Sequence, residues 1–103
     1  MELQELSIIS YNDFKGFLNQ EFKIKFETNV TLPAVLIEAT EFANNFSPVA
    51  RKPFSIVLRT QQKNEYYPQA TFVIEHPEKG EIPLFLVPKG FDAEGMKYEA
   101  VFS

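Results

Sequence analysis

Along much of this chain apolar and polar residues alternate one for one, and a period of two belongs to the β-strand. Phe22, Ile24 and Phe26 are interleaved with Lys23, Lys25 and Glu27. Phe54, Ile56 and Leu58 have Ser55, Val57 and Arg59 between them, and Phe72 and Ile74 have Thr71, Val73 and Glu75. Tyr98, Ala100 and Phe102 keep the same rhythm around Glu99 and Val101. Successive strand residues point to opposite faces, so each segment offers one apolar side to a core and one side to water.

Turn residues separate these runs. Thr28-Asn29 divides the Phe22–Glu27 strand from one spanning Val30 to Ala39, where Leu32, Val35, Leu36 and Ile37 are apolar. Pro33 cannot donate to a ladder, so it predicts an edge position or an early bulge. Residues 43–53, bounded by Pro48 and Pro53, form a long connection, and the polar run Thr60–Glu65 is a loop or a long hairpin tip. His76-Pro77-Glu78-Lys79-Gly80 reads as a type I turn closed by a left-handed glycine, which makes Phe72–His76 and Ile82–Val87 a hairpin. Pro88-Lys89-Gly90 ends that strand, residues 91–95 form a loop, and residues 98–102 form a last strand.

One segment has a different period. Ser10 and Asp13 have the spacing of a capping box, and Phe14, Phe17 and Leu18 fall on one helical face. Gly16 costs about 1 kcal/mol inside a helix, so the helix expected over residues 11–19 is short and held by packing. Before it, Leu3, Leu6, Ile8 and Ile9 suit a short strand or a packed arm. The fold class that follows is mainly β: a small antiparallel barrel or sandwich of five to six strands with one short N-terminal helix.

A chain of 103 residues holds one domain, residues 1–103, with no internal repeat. Eleven Phe and four Tyr give few positions a large buried area. The absence of cysteine excludes disulfides and thiolate metal sites. Neither a basic signal segment at Met1–Leu6 nor an apolar run long enough to span a membrane is present, so a cytoplasmic, membrane-free protein is expected. Ten basic residues against fourteen acidic ones, with Arg51-Lys52 the sole basic pair, argue against nucleic acid as a partner.

Candidate chemistry is sparse. His76 is the single histidine, and Glu75, Glu78 or Ser55 would have to serve as its catalytic partner; a turn-capping role suits its place before Pro77 better. Asp92-Ala93-Glu94-Gly95 matches only a fragment of a calcium loop and reads as a solvated acidic loop. Glu75 and Glu81 approach across the hairpin, where carboxylates are usually solvated. Gly16, Gly80, Gly90 and Gly95 are scattered, so no phosphate-binding loop exists. Asn29-Val30-Thr31 and Asn45-Phe46-Ser47 are formal glycosylation sequons of no consequence outside a secretory pathway. Tyr66-Tyr67 beside Lys63 is the best stacking platform for a single strand, and Glu65 opposes that use. No catalytic residue, cofactor site or metal site is assigned.

The strand Ile82–Val87 is apolar on both faces. Ile82, Leu84 and Leu86 serve one interior; Pro83, Phe85 and Val87 need another cover, either the helix with Phe14, Phe17 and Leu18 or a second chain. Phe85, Val87, Tyr66 and Tyr67 are therefore the candidate interaction surface.

Pro53-Phe54-Ser55-Ile56-Val57-Leu58-Arg59, His76-Pro77, Gly80-Glu81-Ile82-Pro83-Leu84-Phe85-Leu86-Val87-Pro88 and the ending Tyr98-Glu99-Ala100-Val101-Phe102 together resemble an uncharacterised family of bacterial domains of about this length. The Phe14 and Phe22 segments are similar to its N-terminal part; Ser103 stands where the family usually has Asn. The resemblance implies genomic association with phage-tail-collar-type fibre proteins, and so an accessory or assembly role. The expected function is a non-enzymatic protein-interaction or structural module, with a protein partner or self-association. The rivals are a small β-barrel that binds an apolar small molecule and a hydrolase built on His76 with a glutamate.

Overall fold

The computed structural model describes residues 9–42 and 52–102. Each alternating segment is a strand with its larger apolar side chains turned inward. Strand β1 (Glu21–Glu27) buries Phe22, Ile24 and Phe26 and turns at Thr28-Asn29 into β2 (Val30–Glu41). Strand β3 (Phe54–Thr60) pairs with β2. The hairpin of β4 (Ala70–His76) and β5 (Gly80–Phe91) turns through Pro77-Glu78-Lys79, with Gly80 at φ +80° as the turn type requires. Strand β6 (Met96–Phe102) follows.

The strands close into an antiparallel barrel in the order β1-β2-β3-β6-β5-β4. It consists of two meanders, β1-β2-β3 and β4-β5-β6, joined along the seams β3–β6 and β1–β4. Each meander has a 12-residue central strand between two of 7 residues. Both central strands carry a register shift, between Leu36 and Glu38 in β2 and between Pro88 and Gly90 in β5. Such bulges bend a strand and increase its twist, which allows so small a sheet to close.

Side chains fill the interior: Ile24, Leu36, Ile56, Leu58, Ile74, Ile82 and Leu86 are each fully buried. At one end a single turn of helix, α1 (Asn12–Lys15), lays Phe14 against Phe22, Phe54 and Phe102, with ring centroids 5.7–6.0 Å apart. Residues 61–69 cross the opposite end, from β3 to β4. There Tyr67 stacks on Phe26 at 4.4 Å, and Phe26 also meets Tyr98 and Phe72.

Several boundaries differ from the sequence expectation. The helix covers Asn12–Lys15, not residues 11–19, because Gly16 caps it and Asn19 takes a left-handed φ of 68°. Leu18 therefore leaves the face of Phe14 and is 39% exposed. Only half of the capping box forms: the Asp13 carboxylate accepts from the Ser10 N–H at 2.8 Å, while no side chain caps the helix in return. Pro33 is neither at a sheet edge nor at the β2 bulge. It sits opposite Lys23 on β1, just before the β2–β3 ladder begins at Ala34, where no donor is required on that side. Residues 61–65 belong to a crossing rather than a hairpin tip, since β3 and β4 are not neighbours. Strand β5 does not end at Pro88-Lys89-Gly90. The bulge, with Gly90 at φ +114°, carries it on to Phe91. The expected arm at Leu3–Ile8 and most of the connection at 43–53 lie outside the described residues, with Arg51 and Asn45 among them.

Candidate interaction surface

His76 is 3% exposed, at the helix-capped end of the barrel. Its Nδ1 accepts from the backbone N–H groups of Glu78 and Lys79, both at 3.0 Å. Nε2 must then carry the proton, which it donates to the carbonyl of Asp13. The rings of Phe14, Phe17 and Phe22 surround the imidazole at 4.7–5.3 Å. Both nitrogens are thus committed to backbone groups, one set ordering the β4–β5 turn and the other fastening α1 to the barrel. Glu75 and Glu81 stand directly opposite each other, as the hairpin predicts, and Lys25 approaches Glu81 at 3.3 Å.

The acidic loop at 92–95 is a closed turn. Asp92 Oδ1 accepts from the N–H groups of Glu94 and Gly95 at 2.8 and 2.9 Å, and Arg59 pairs with Asp92 at 3.2 Å and Glu94 at 3.1 Å. The Glu94 N–H, followed by those of Gly95 and the Arg59 guanidinium, holds the Asp92 carboxyl below its ordinary value of 3.8. Among the described residues no three His, Asp or Glu side chains gather as a metal site.

Tyr66 and Tyr67 part company. Tyr67 closes the barrel: its ring lies on Phe26, its N–H donates to the Tyr98 hydroxyl at 3.0 Å, and its own hydroxyl donates to Glu27 at 2.9 Å. That bond to a carboxylate, then desolvation, raises the Tyr67 pKa above 10.0. Tyr98 donates onward to Gln62 at 2.7 Å, and burial pushes its hydroxyl up as well. Tyr66 instead points outward, 54% exposed, and meets Phe91 edge to face at 6.2 Å on the rim.

Phe85 and Val87 lie on the outer wall. Phe85 is 52% exposed and Val87 half-buried. The helix does not cover Phe85, contrary to the first of the two covers open from sequence, because Phe14 is packed into the barrel end instead. Thr71 stands opposite Phe85 on β4, Val73 opposite Pro83, and Glu99 opposite Val87 on β6, where it pairs with Lys89; Val101, two residues on from Glu99, shares that outward face. Val101, 63% exposed, is the member that sequence reasoning passed over. The signal was present, since alternation with Ala100 and Phe102 turns it outward. Phe14, Phe22, Phe26, Phe54 and Phe102, the rings an internal apolar site would use, are buried against one another or against other core rings.

No helix among the described residues is long and apolar enough to cross a membrane. No curated protein and no solved structure matches the chain. The family model described as "Domain of unknown function (DUF6916)" matches residues 9–102, from the buried Ile9 through the end of β6, and the chain belongs to that family.

Proposed function

We propose that the domain is a non-enzymatic interaction module of structural or assembly type, which engages a protein through the outer wall of β4, β5 and β6. The observation that carries this reading is the apolar pair Phe85 and Val101, both more than half exposed on the wall of a closed barrel. Exposed apolar area of this kind is the usual mark of an interface, and the carboxylate beside it, Glu99, is paired with Lys89. Commitment of both His76 nitrogens to backbone partners supports a structural rather than a catalytic histidine. The lack of cysteine suits a reducing compartment such as the cytoplasm. An accessory role in bacterial tail-fibre-like assemblies is the finer form of the proposal, and it rests on the sequence resemblance alone.

Affinity capture from source cells tests it, with the parent protein, Phe85→Glu and His76→Gln compared after each is shown to fold. Phe85→Glu should lose at least about tenfold of the captured partner, as truncation of an interface anchor does. Folded His76→Gln should capture as the parent does. Equal capture by Phe85→Glu and the parent would remove the outer wall from consideration.

A further inference from the structure

The outer face of β5 reads Glu81, Pro83, Phe85, Val87, Lys89: an acid, three apolar residues and a base, with Phe85 at the centre. The two ends are placed by their contacts. Glu81 pairs with Glu75 and meets Lys25 at 3.3 Å, and Lys89 reaches Glu99 at 3.6 Å. A half-turn about an axis lying in the wall and passing through Phe85 reverses this order and exchanges the charges. Glu81 of one copy then faces Lys89 of the other, Pro83 faces Val87, and Phe85 meets Phe85. Because the two copies are equivalent, each unlike contact occurs twice. A surface that matches its own reversal in apolar character and opposes it in charge meets the requirement of a two-fold, isologous interface. The flanking residues Thr71, Val73 and Val101 are uncharged, and Glu99, which stands opposite Val87, is already paired with Lys89.

We infer that the partner seated on this wall is a second copy of this chain, in a two-fold dimer centred on Phe85. The inference rests on the reading of the wall as an interaction surface and names its occupant. The present pairs of Glu81 with Lys25 and of Lys89 with Glu99 are partly exposed. In the dimer the Lys25–Glu81 pair of one copy would adjoin the Lys89–Glu99 pair of the other, with Glu75, opposite Glu81, kept beside Lys23 on β1.

Sedimentation equilibrium from about 1 to 100 μM, a range that spans half-saturation of a micromolar dimer, tests this directly. The parent should dimerise within the range. Glu81→Lys alone and Lys89→Glu alone each place like charges at both contacts and should weaken the dimer by at least about tenfold. An equimolar mixture of the two single variants should form a heterodimer, because each of its contacts then joins opposite charges; the doubly substituted chain should dimerise again. The repulsions introduced within each monomer, toward Lys25 or Glu99, are the same before and after mixing, so only the contact between copies can restore association. A parent that stays monomeric, single variants that dimerise like the parent, or a mixture that does not associate would each overturn the dimer. If the parent is monomeric while Phe85→Glu still abolishes capture of another protein, the wall remains an interaction surface and only the second copy falls. If Phe85→Glu alters neither mass nor capture, the wall itself falls.

Discussion

Gly95 sits where the hairpin between β5 and β6 passes closest to the end of β3. A Cβ built there would lie 1.7 Å from the carbonyl oxygen of Thr60, with the backbone of Gln61 next to it. The constraint is space rather than dihedral freedom, and the neighbour is backbone, which cannot rotate aside. Gly16 is the contrasting case: a Cβ there meets nothing within 4 Å, and its φ of −76° is ordinary. Gly95→Ala is expected to cost about 2–3 kcal/mol, and Gly16→Ala to be neutral or to stabilise by up to about 1 kcal/mol through the unfolded state. Urea denaturation of both variants beside the parent checks the pair, and similar midpoints for the two would contradict it. At this same scale His76 binds two elements through three backbone groups. Its position before a turn proline announced the Nδ1 half of that role. The Nε2 half depends on a residue 63 positions away and could not be read from the chain.

Among the elements, β6 has the largest structural consequence for its length. It pairs along β3 from Phe54↔Phe102 to Arg59↔Lys97 and along β5 from Val87↔Glu99 to Phe91↔Met96, so it is one of the two seams' worth of closure between the meanders. It also buries Tyr98, Ala100 and Phe102, with Phe102 stacked on Phe54 at 4.2 Å. Loss of a buried Phe alone costs about 3–5 kcal/mol, against a total stability of roughly 5–15 kcal/mol for a domain. Deletion of residues 98–103 should therefore abolish the cooperative thermal transition; a truncated chain that melts near the parent's Tm would show that the barrel survives open. The helix is the opposite case, an element of four residues whose worth lies in one side chain. Phe14 is wholly buried where four strand-borne rings converge, and the turn around it exists to deliver that ring.

Over the whole molecule the six seams are unequal. The closing seam, β1–β4, has three residue pairs, Lys23↔Glu75, Ile24↔Ile74 and Lys25↔Val73, whereas β4–β5 and β2–β3 each have seven. Local opening follows the least supported backbone hydrogen bonds. Amide hydrogen exchange should find β1–β4 the least protected seam and the β3–β6 seam, where β3 is buried almost along its length, among the slowest. Uniform protection around the barrel would contradict this. Within the proposed interface β5 is held to β4 by seven residue pairs, while β4 also forms the three-pair seam with β1.

Strand positions, their inward faces and the β4–β5 hairpin follow from local chemistry: a period of two in polarity, a proline-to-glycine turn, and side chains that alternate by geometry. Phe85 and Val87 were legible as outward-facing for the same reason. Closure was not. A barrel and a sandwich use the same strands, and the choice between them rests on bulges at Ile37 and Lys89 that bend β2 and β5, and on pairings such as Ile24↔Ile74 between residues 50 apart in sequence. Tertiary structure alone also decided that Phe14 fills the barrel end, so that Phe85 stays half exposed on the outer wall. The same apolar ring suits either place, and only the arrangement of the six strands determines which cavity stands open for it.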